Sequence, residues 1–332
     1  MELSIATISD FVRNAEILFL KGLDSVQANA RNSGIFRIDS IPDHKGNTKE
    51  YSEIDLEEYA SIKGEGDQSA RARVQQGYSK IGTLYRVSLD IGITYEMRHY
   101  NKYIDVVARL QNLGKTAAKR MELDLSHRIT FATATTYTTK EGVVVDTTVG
   151  DTLCWASTAH TVRGSSATFR NRLANNPLFS KGALEGMEQM IVENSINQFG
   201  EKVVVSYDIL WTTDDANTIN TVREFLKSTA APEATNAGVV NVYAGKYKHV
   251  VLPLVATTNT GAVDSTKAKY WGLASSTNSQ AFLGINEEPH MKPTDGNTEF
   301  STEDFNMGAT AGYFIVIPGA RSMTFSTGDA VA

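Results

Sequence analysis

The histidines and the single cysteine are the residues of this chain best suited to catalysis or metal binding. The six histidines are scattered without an HExxH pair or other compact ligand spacing, at His44, His99, His127, His160, His249 and His290. Without such spacing we predict no metal site. Cys154 and His160 could in principle form a nucleophile–base pair or a metal pair. Because Cys154 stands between Leu153 and Trp155, we predict instead that it is a small buried apolar residue.

Motifs for hydrolysis and nucleotide binding are absent from the sequence. No GxSxG nucleophile elbow accompanies Ser157 and His160, and neither a GxxxxGK[ST] nor a GxGxxG phosphate loop occurs. Asp214 and Asp215 are adjacent, so their side chains diverge, and a carboxylate there suits the backbone amides at a helix start better than acid–base chemistry. The sequence therefore predicts no enzymatic site and no cofactor.

The segment from Pro42 to Gly82 is polar and punctuated by glycine, and we interpret it as a long excursion from the body of the fold. Residues 39–67 are mainly acidic, whereas residues 69–86 carry only basic charges. The two limbs can pair with each other or with the same segment of a neighbouring copy. The alternative is a solvated hairpin, because an isolated surface ion pair stabilises by only about 0–1 kcal/mol. The candidate inter-subunit contacts are Glu53, Asp55, Glu57, Glu58, Arg71, Arg73, Lys80 and Arg86.

Two strands and a long helix must position this segment. Alternation of apolar and polar residues predicts a short strand at residues 36–38 and a longer one at residues 85–93. Directly afterwards, apolar residues recur at steps of three or four from Thr94 to Thr133, which predicts one amphipathic helix of about 50 Å. A helix of this length is compatible with a thin, plate-like subunit that it supports along its length. It is equally compatible with an enzyme domain in which the helix runs across the back.

Caps and periodicity predict three further helices: one from Ser9 or Asp10 to Gly34, one from Ser180 to near Gly200, and one that opens at Thr213 and Asp214 and ends before Pro232. Short apolar runs predict strands at residues 143–145, 153–156, 203–205, 239–242, 250–255, 270–274 and 314–317. The three tryptophans adjoin these runs, so we predict that they lie in the core. Helices interleaved among short strands make the fold class α+β.

Composition limits the protein classes that remain. The 332 residues, 41% of them hydrophobic, can bury a core as one elaborated domain or two. A single cysteine excludes an intrachain disulfide and fits a reducing cytoplasm. No apolar run approaches the roughly 20 residues that cross a bilayer, so we expect a soluble protein that does not bind membranes. A net charge of −6 argues against a protein that binds nucleic acid over its whole surface.

The order of elements is an N-terminal arm, a charged loop on two strands, a long helix, strands, two shorter helices and a returning strand. This order resembles the major capsid proteins of tailed bacteriophages, the Hong Kong 97 fold, and most closely the major head subunit of Mu-like phages. The local match is residues 151–160, DTLCWASTAH, followed by the loop at Gly164 and the helix from Leu184. Thr161 departs from the family, in which a proline is common there. Residues 241–245, NVYAG, and Trp271 with Ser275 and Ser276 also resemble this family.

The resemblance implies a Hong Kong 97-like division into an N-terminal arm at residues 1–36, an extended E-loop with its strands at 37–93, a peripheral domain with the spine helix at 94–201, an axial domain at 202–297, and a return to the peripheral domain at 298–332. It implies a structural protein rather than an enzyme. Copies would assemble in the host cytoplasm into hexamers and pentamers of an icosahedral virion capsid.

The partners that the resemblance implies are other copies of the chain, separate scaffolding, portal and decoration proteins, and packaged double-stranded DNA held without sequence-specific binding. Two alternatives stay open. One is an encapsulin-like nanocompartment shell of the same fold, and the other is a soluble α+β enzyme with a lid at residues 42–82.

Overall fold

The structure is a computed structural model that describes residues 8–42, 46–55, 59–69, 71, 75–100, 103–194, 196–197, 199, 201–228, 240–292 and 305–329. In this part of the chain the helices are α1 (Ile8–Asp24), α2 (Tyr95–His99), α3 (Tyr103–Thr130), α4 (Lys181–Asn194) and α5 (Ala216–Lys227). The strands are β1 (Phe36–Ser40), β2 (Thr48–Asp55), β3 (Gln75–Thr83), β4 (Tyr85–Ile93), β5 (Thr136–Thr138), β6 (Val144–Asp146), β7 (His160–Thr161), β8 (Thr168–Phe169), β9 (Ile209–Thr212), β10 (Lys248–Val251), β11 (Trp271–Ala274), β12 (Ala281–Met291) and β13 (Phe305–Val316).

A four-stranded mixed sheet in the order β1-β12-β13-β4 forms the centre of the fold. β1 runs parallel to β12, and the other two pairings are antiparallel. The strict alternation of β4 is matched by an unbroken register with β13, from Tyr85 opposite Tyr313 to Ile93 opposite Phe305. The sequence prediction of a strand at residues 85–93 is therefore confirmed.

Helix α3 packs across this sheet and supplies part of the main core. Leu125 and Ile129 of the helix lie in one buried cluster with Tyr313 and Ile315 of β13 and with Trp155. Its 28 residues give the helix a length of about 42 Å. Helix and sheet thus form two packed layers around one core.

Helix α1 crosses α3 at very short range, and one glycine in each helix makes the approach possible. A Cβ on Gly22 of α1 would lie 2.1 Å from the carbonyl oxygen of Gln111. A Cβ on Gly114 of α3 would lie 2.2 Å from the carbonyl oxygen of Phe19. Since neither position has room for a Cβ, the two backbones touch directly.

A second buried cluster lies between α4, α5 and the three-stranded sheet β10-β9-β11. Leu184 and Met187 of α4 and Val222 of α5 pack there against Leu210 and Trp271. Trp155, Trp211 and Trp271 are each 0% exposed, which confirms their predicted place in the core.

The predicted helix bounds need three corrections. Helix α1 ends at Asp24 rather than Gly34, because the backbone amides of Ala30 and Arg31 donate to the Glu122 carboxylate of α3 instead of continuing a helix. The stretch from Thr94 to Thr133 is not one described helix: α2 is separate, and α3 is the long one. Helix α4 starts where predicted, with the Ser180 hydroxyl accepting from the Ala183 amide, but ends at Asn194.

Some predicted strands are also wrong. Residues 153–156 turn instead, because the Asp151 carboxylate accepts from the Leu153 amide and Thr152 has a φ of 67°. Residues 203–205 form no strand; the neighbouring strand is β9, whose four residues are all buried. Residues 240–242 of the predicted strand 239–242 hold only an isolated bridge, and Val239 and Pro232 lie outside the described residues. Residues 250–255 divide into the end of β10 and a 3-10 helix at Pro253–Val255.

Candidate functional site: the charged hairpin

The charged segment folds into an antiparallel hairpin of β2 and β3. The pairing runs from Thr48 opposite Thr83 to Asp55 opposite Gln75, with one register irregularity on the way. Alternation alone did not identify these strands, since their side chains are polar on both faces. Of the eight candidate contact residues, Glu53, Asp55 and Lys80 lie on the two strands of the hairpin, and Arg86 lies on β4. The other four fall in the sequence between β2 and β3.

Aromatic packing fixes the base of the hairpin against the end of the four-stranded sheet. Tyr51 stacks on Phe282, with ring centroids 4.5 Å apart and planes inclined by 28°. Gly82 lies against Phe314, whose ring carbon would be 2.1 Å from a Cβ at that position. Tyr51 is buried in one cluster with Phe314 and Val316 of β13, so it joins the outgoing limb of the hairpin to the core.

Lys80 on β3 attaches the return limb to strand β6. Its Nζ lies 3.0 Å from Asp146 Oδ2 and donates to the backbone and the hydroxyl oxygen of Thr148. Burial lowers the pKa of the Lys80 ammonium below its ordinary value, against the raising effect of Asp146. Lys80 thus anchors β3 to its own chain through an ion pair with Asp146.

Two further contacts continue this attachment along β3. The Tyr78 and Thr161 hydroxyls share a hydrogen bond of 2.8 Å. The Arg163 guanidinium donates to the Gly77 carbonyl, also at 2.8 Å. The return limb therefore lies on the segment 146–163.

Residues beyond β2 contact the body as well. The Tyr59 hydroxyl donates to the Lys202 carbonyl at 3.2 Å, and the Tyr59 amide lies 3.3 Å from a Glu201 carboxylate oxygen. The sequence predicted an excursion away from the body. Residues 59–69 of that segment are exposed, whereas β3 lies along its own chain, where its hydrogen-bond partners are far away in sequence.

Some of the candidate contact residues are paired within their own subunit, one is exposed, and others lie outside the described residues. Glu53 accepts from Gln280 Nε2 at 3.2 Å, and Arg86 pairs with Glu287 at 2.8 Å, reaching across Gly312 of β13. Arg71 is exposed. For Asp55 only the backbone is described, and Glu57, Glu58 and Arg73 lie outside the described residues. The ion pairs recorded for Lys80 and Arg86 are thus with Asp146 and Glu287, not with the acidic limb.

Within the acidic limb, Asp39 binds two residues of β2. It accepts from Lys49 and, at 2.5 Å, from the Tyr51 hydroxyl. Burial alone would raise the pKa of Asp39, but these hydrogen bonds and the Lys49 charge lower it below its ordinary value. This cluster connects β1 to the hairpin.

Asp151 and His160 form a buried pair that closes the segment on which β3 lies. His160 Nδ1 is 2.8 Å from Asp151 Oδ2, and its Nε2 is 3.1 Å from the Trp155 carbonyl oxygen. The Asp151 carboxylate also accepts from the amides of Leu153 and Thr161. Burial would raise the pKa of Asp151, but the hydrogen bond and charge of His160 and these amides lower it.

The other chemically active side chains do not converge on a reaction centre. Cys154 is half-buried rather than fully buried as predicted, burial raises its pKa, and its thiol donates to the Ala156 carbonyl. Burial lowers the pKa of His127 and of His249 to about 4. In the part of the chain that the structure describes, no group of three or more His, Cys, Asp or Glu residues could hold a metal ion.

A groove of about 680 Å³ lies between β4, α3 and the β5–β6 pair. Its carboxylates are paired with cations. Arg120 contacts both Asp124 and Glu141, and its hydrogen bond lowers the pKa of Glu141 to about 2. Because its pKa is this low, Glu141 is poorly suited to exchange protons with a substrate near neutral pH.

Sequence reasoning missed the residues that hold the hairpin to the body, Tyr78, Asp146 and Arg163. The chain contains no local signal for them, since each partner lies 66 to 86 residues away. Asp151 and His160 stand at the two ends of the segment DTLCWASTAH, but the sequence did not indicate that they pair. No helix in the described ranges combines the length and the apolar character needed to cross a membrane.

The fold is similar to that of solved capsid and virus-like-particle subunits. The chain is similar to the subunit of a virus-like particle from Pyrococcus furiosus, with a TM-score of 0.50 and 10% identity over 94% of this chain and 97% of that one. It is also similar to the capsid of the cyanophage P-SCSP1u, with a TM-score of 0.51 and 9% identity over 88% of this chain and 85% of that one. No protein-family model and no curated protein sequence matches the chain.

At such low identity the likeness concerns the fold alone. It extends over nearly the whole length of both chains, and both neighbours are described as particles or capsids. The mixture of helix and sheet agrees with the predicted α+β class.

Proposed function

We propose that this chain is the major capsid protein of a tailed bacteriophage, whose copies assemble in the host cytoplasm into the hexamers and pentamers of an icosahedral virion capsid around double-stranded DNA. The observation that carries the proposal is the end-to-end similarity of the fold to the subunits of a virus-like particle and a phage capsid. The Mu-like affinity and the division into arm, E-loop, peripheral domain and axial domain are parts of this proposal that rest on the sequence resemblance.

The charge of the chain supports the role of a container. A net charge of −6 suits a shell that encloses DNA without binding it tightly or by sequence. Scaffolding, portal and decoration proteins are further proposed partners. Neither a cofactor nor catalysis is part of the proposal.

The hairpin is the proposed contact between copies. Arg71 is exposed in the loop that joins the two limbs, close in sequence to Arg73 and to the acidic residues of the outgoing limb. Each surface ion pair contributes only about 0–1 kcal/mol, but a closed shell repeats the same contact in every subunit. Lys80 and Arg86 would contribute indirectly, because their ion pairs hold the hairpin and β4 in place within one subunit.

A nanocompartment shell is the second candidate, and the similarity to a virus-like particle favours it as much as the similarity to a phage capsid favours the first. The two differ in contents. Particles that hold packaged DNA support the phage head, whereas particles that hold protein cargo and lack nucleic acid support the nanocompartment.

Electron microscopy of the purified protein under assembly conditions, with and without the products of neighbouring genes, tests the shell itself. We expect closed isometric particles. A monodisperse monomer at micromolar concentration that forms no particle in either condition would contradict both shell proposals and favour an enzyme with a lid at residues 42–82.

The hairpin contact is tested by the double substitution Arg71→Glu with Arg73→Glu. We expect it to block particle formation while circular dichroism and thermal unfolding of the subunit stay unchanged, because Arg71 is exposed. Lys63→Glu is the matched control, an exposed charge reversal in the same loop on the acidic side. Normal particles from the double variant would remove the proposed electrostatic role of the loop without affecting the shell proposal.

A further inference from the structure

The outer edge of β4 faces a groove rather than another strand. In the described part of the chain β4 pairs only with β13, so one of its edges has no strand beside it. The groove of about 680 Å³ between β4, α3 and the β5–β6 pair is lined by four successive residues of this strand, 85–88. Because successive side chains of a strand point to opposite faces, a groove that contacts all four reaches the edge of the strand.

The opposite wall of the groove is a strand edge as well. Residues 143–146 line it in succession, and among the described strands β6 pairs only with β5. Helix α3 lies at the base, where Arg120, Asp124 and Arg128 follow one another at steps of four along one stripe. The groove is therefore bounded by two strand edges and by a helix.

Large apolar side chains are exposed in this groove. Ile81, Tyr85, Val143 and Val144 all line it, and each is between 38% and 64% exposed. Tyr85 points to the same face of β4 as Ile93, which is fully buried, so this end of the face lacks the cover that the other end has. Exposed apolar surface around a concave site is typical of a binding site.

Arg128 places a buried positive charge against the groove. The residue is only 9% exposed. Its guanidinium donates to the Asp146 carbonyl oxygen, and its Nε has no hydrogen-bond partner among the described residues. A buried charge without a counter-ion is costly, and a bound carboxylate would neutralise it.

The carboxylates that line the groove are already paired with other cations. Asp124 and Glu141 both contact Arg120, and Asp146 contacts Lys80. Neither these ion pairs nor any other pair between described residues includes the buried arginine. The groove therefore carries positive charge in excess, and its chemistry suits an anionic ligand with apolar neighbours.

We propose that this groove binds a short segment of another protein in extended conformation, one face of which carries an acidic residue between apolar ones. The segment adds as a strand to the free edge of β4, its apolar side chains cover Tyr85 and Val144, and its carboxylate binds the Arg128 guanidinium. The acidic limb of a second copy does not suit this role, because residues 48–55 are paired with β3 and would bring that strand into the groove. The site lies within one subunit, so the inference does not depend on assembly into a shell.

Fluorescence anisotropy of labelled heptapeptides with the unassembled full chain tests the chemistry of the groove. The probe is the peptide TVTETIT, in which valine, glutamate and isoleucine fall on one face of a strand, and the matched control is TVTKTIT. We expect the glutamate peptide to bind at least tenfold more tightly, because Arg128 attracts a carboxylate and repels an ammonium group. Equal affinity of the two peptides, or no binding of the glutamate peptide at about 1 mM, overturns the proposal.

Substitutions in the groove locate the binding. Arg128→Gln should weaken binding of the glutamate peptide by tenfold or more, the effect of losing a charged hydrogen bond. Val144→Asp, at an exposed position on the wall, should weaken it similarly, whereas the matched control Val204→Asp, at an exposed valine outside the groove, should leave it unchanged. If Arg128→Gln fails to fold, Val144→Asp and its control decide alone. Binding that survives at full strength in Val144→Asp contradicts the site.

Amide hydrogen exchange tests the addition of a strand and the identity of the occupant. Glutamate peptide at about ten times its dissociation constant should slow exchange of residues 85–89 by about tenfold and leave β1, the other edge strand of the sheet, unchanged. Equal slowing of both edges would refute addition to β4. Without peptide, exchange of residues 85–89 should be the same in dilute and concentrated chain. Protection that rises with chain concentration would assign the groove to a second copy and overturn its assignment to another protein.

Discussion

The close crossing of α1 and α3 predicts that Gly114→Ala destabilises the protein, although alanine is the better helix former. Gly114 is buried in the interior of α3, and a Cβ there would lie 2.2 Å from the Phe19 carbonyl oxygen and 3.0 Å from the Leu23 amide nitrogen. Both contacts are with backbone atoms, so no side-chain rotation relieves them. The two helices must move apart by about 1 Å to restore van der Waals contact.

The magnitude follows from two opposing terms. Replacing glycine by alanine in a helix interior stabilises by about 1 kcal/mol. Forcing an extra methyl group into a packed contact costs about 1–3 kcal/mol, and the upper part of that range applies here because the obstacle is backbone. We therefore expect the free energy of unfolding to fall by about 1–2 kcal/mol.

Gly186→Ala in α4 is the matched control. Gly186 is an exposed glycine inside a helix, and a Cβ there would meet nothing within 4 Å, so the same substitution should stabilise by about 1 kcal/mol. Urea unfolding of the unassembled subunits, followed by circular dichroism, gives both values. If Gly114→Ala is as stabilising as Gly186→Ala, the helices do not cross at the distance described, and the reasoning fails.

Two further stability predictions use the same assay. Asp215→Ala should lower the free energy of unfolding by about 1 kcal/mol at neutral pH, because the Asp215 carboxylate caps α5 by accepting from the Thr218 amide at 2.9 Å. The control Asp214→Ala, one residue away, should change the free energy of unfolding little. The Thr218 hydrogen bonds lower the pKa of Asp215, so its advantage over alanine should disappear as pH falls through that lowered value, and an advantage retained in acid would contradict the cap. Glu122→Ala should cost about 1–3 kcal/mol by leaving the buried Ala30 amide without an acceptor, whereas Glu122→Gln, which keeps one oxygen, should cost less; equal losses would refute this account.

Local patterns predicted the elements whose residues alternate or recur cleanly. The β4 strand, the start of α4 and the strand Trp271–Ala274 followed from such patterns, and the carboxylates at the start of α5 indicated its cap within one residue. Strand β12 was missed. Its sequence contains adjacent glutamates and Pro289, and its register with β13 is irregular at these positions, so neither alternation nor an apolar run marks it.

The candidate site was likewise predictable only in part from the sequence. The charge of the two limbs can be read from the sequence, and so can the presence of a long polar segment between two strands. The partners cannot, because Lys80 pairs with Asp146 and Arg86 with Glu287, residues 66 and 201 positions further along the chain. Which face of the hairpin is occupied by its own subunit is a property of the tertiary fold, and only the remaining face is available to another copy.

The order β1-β12-β13-β4 has a consequence for synthesis on the ribosome. The two edge strands are made early, yet they do not pair with each other, and each needs β12 or β13 from residues 281–316 as its neighbour. Pairings this distant in sequence form slowly and only after both partners have been translated. The central sheet, and with it the base of the hairpin, therefore stays open until most of the chain has emerged, so a nascent subunit cannot present a finished hairpin to its neighbours before its own body is complete.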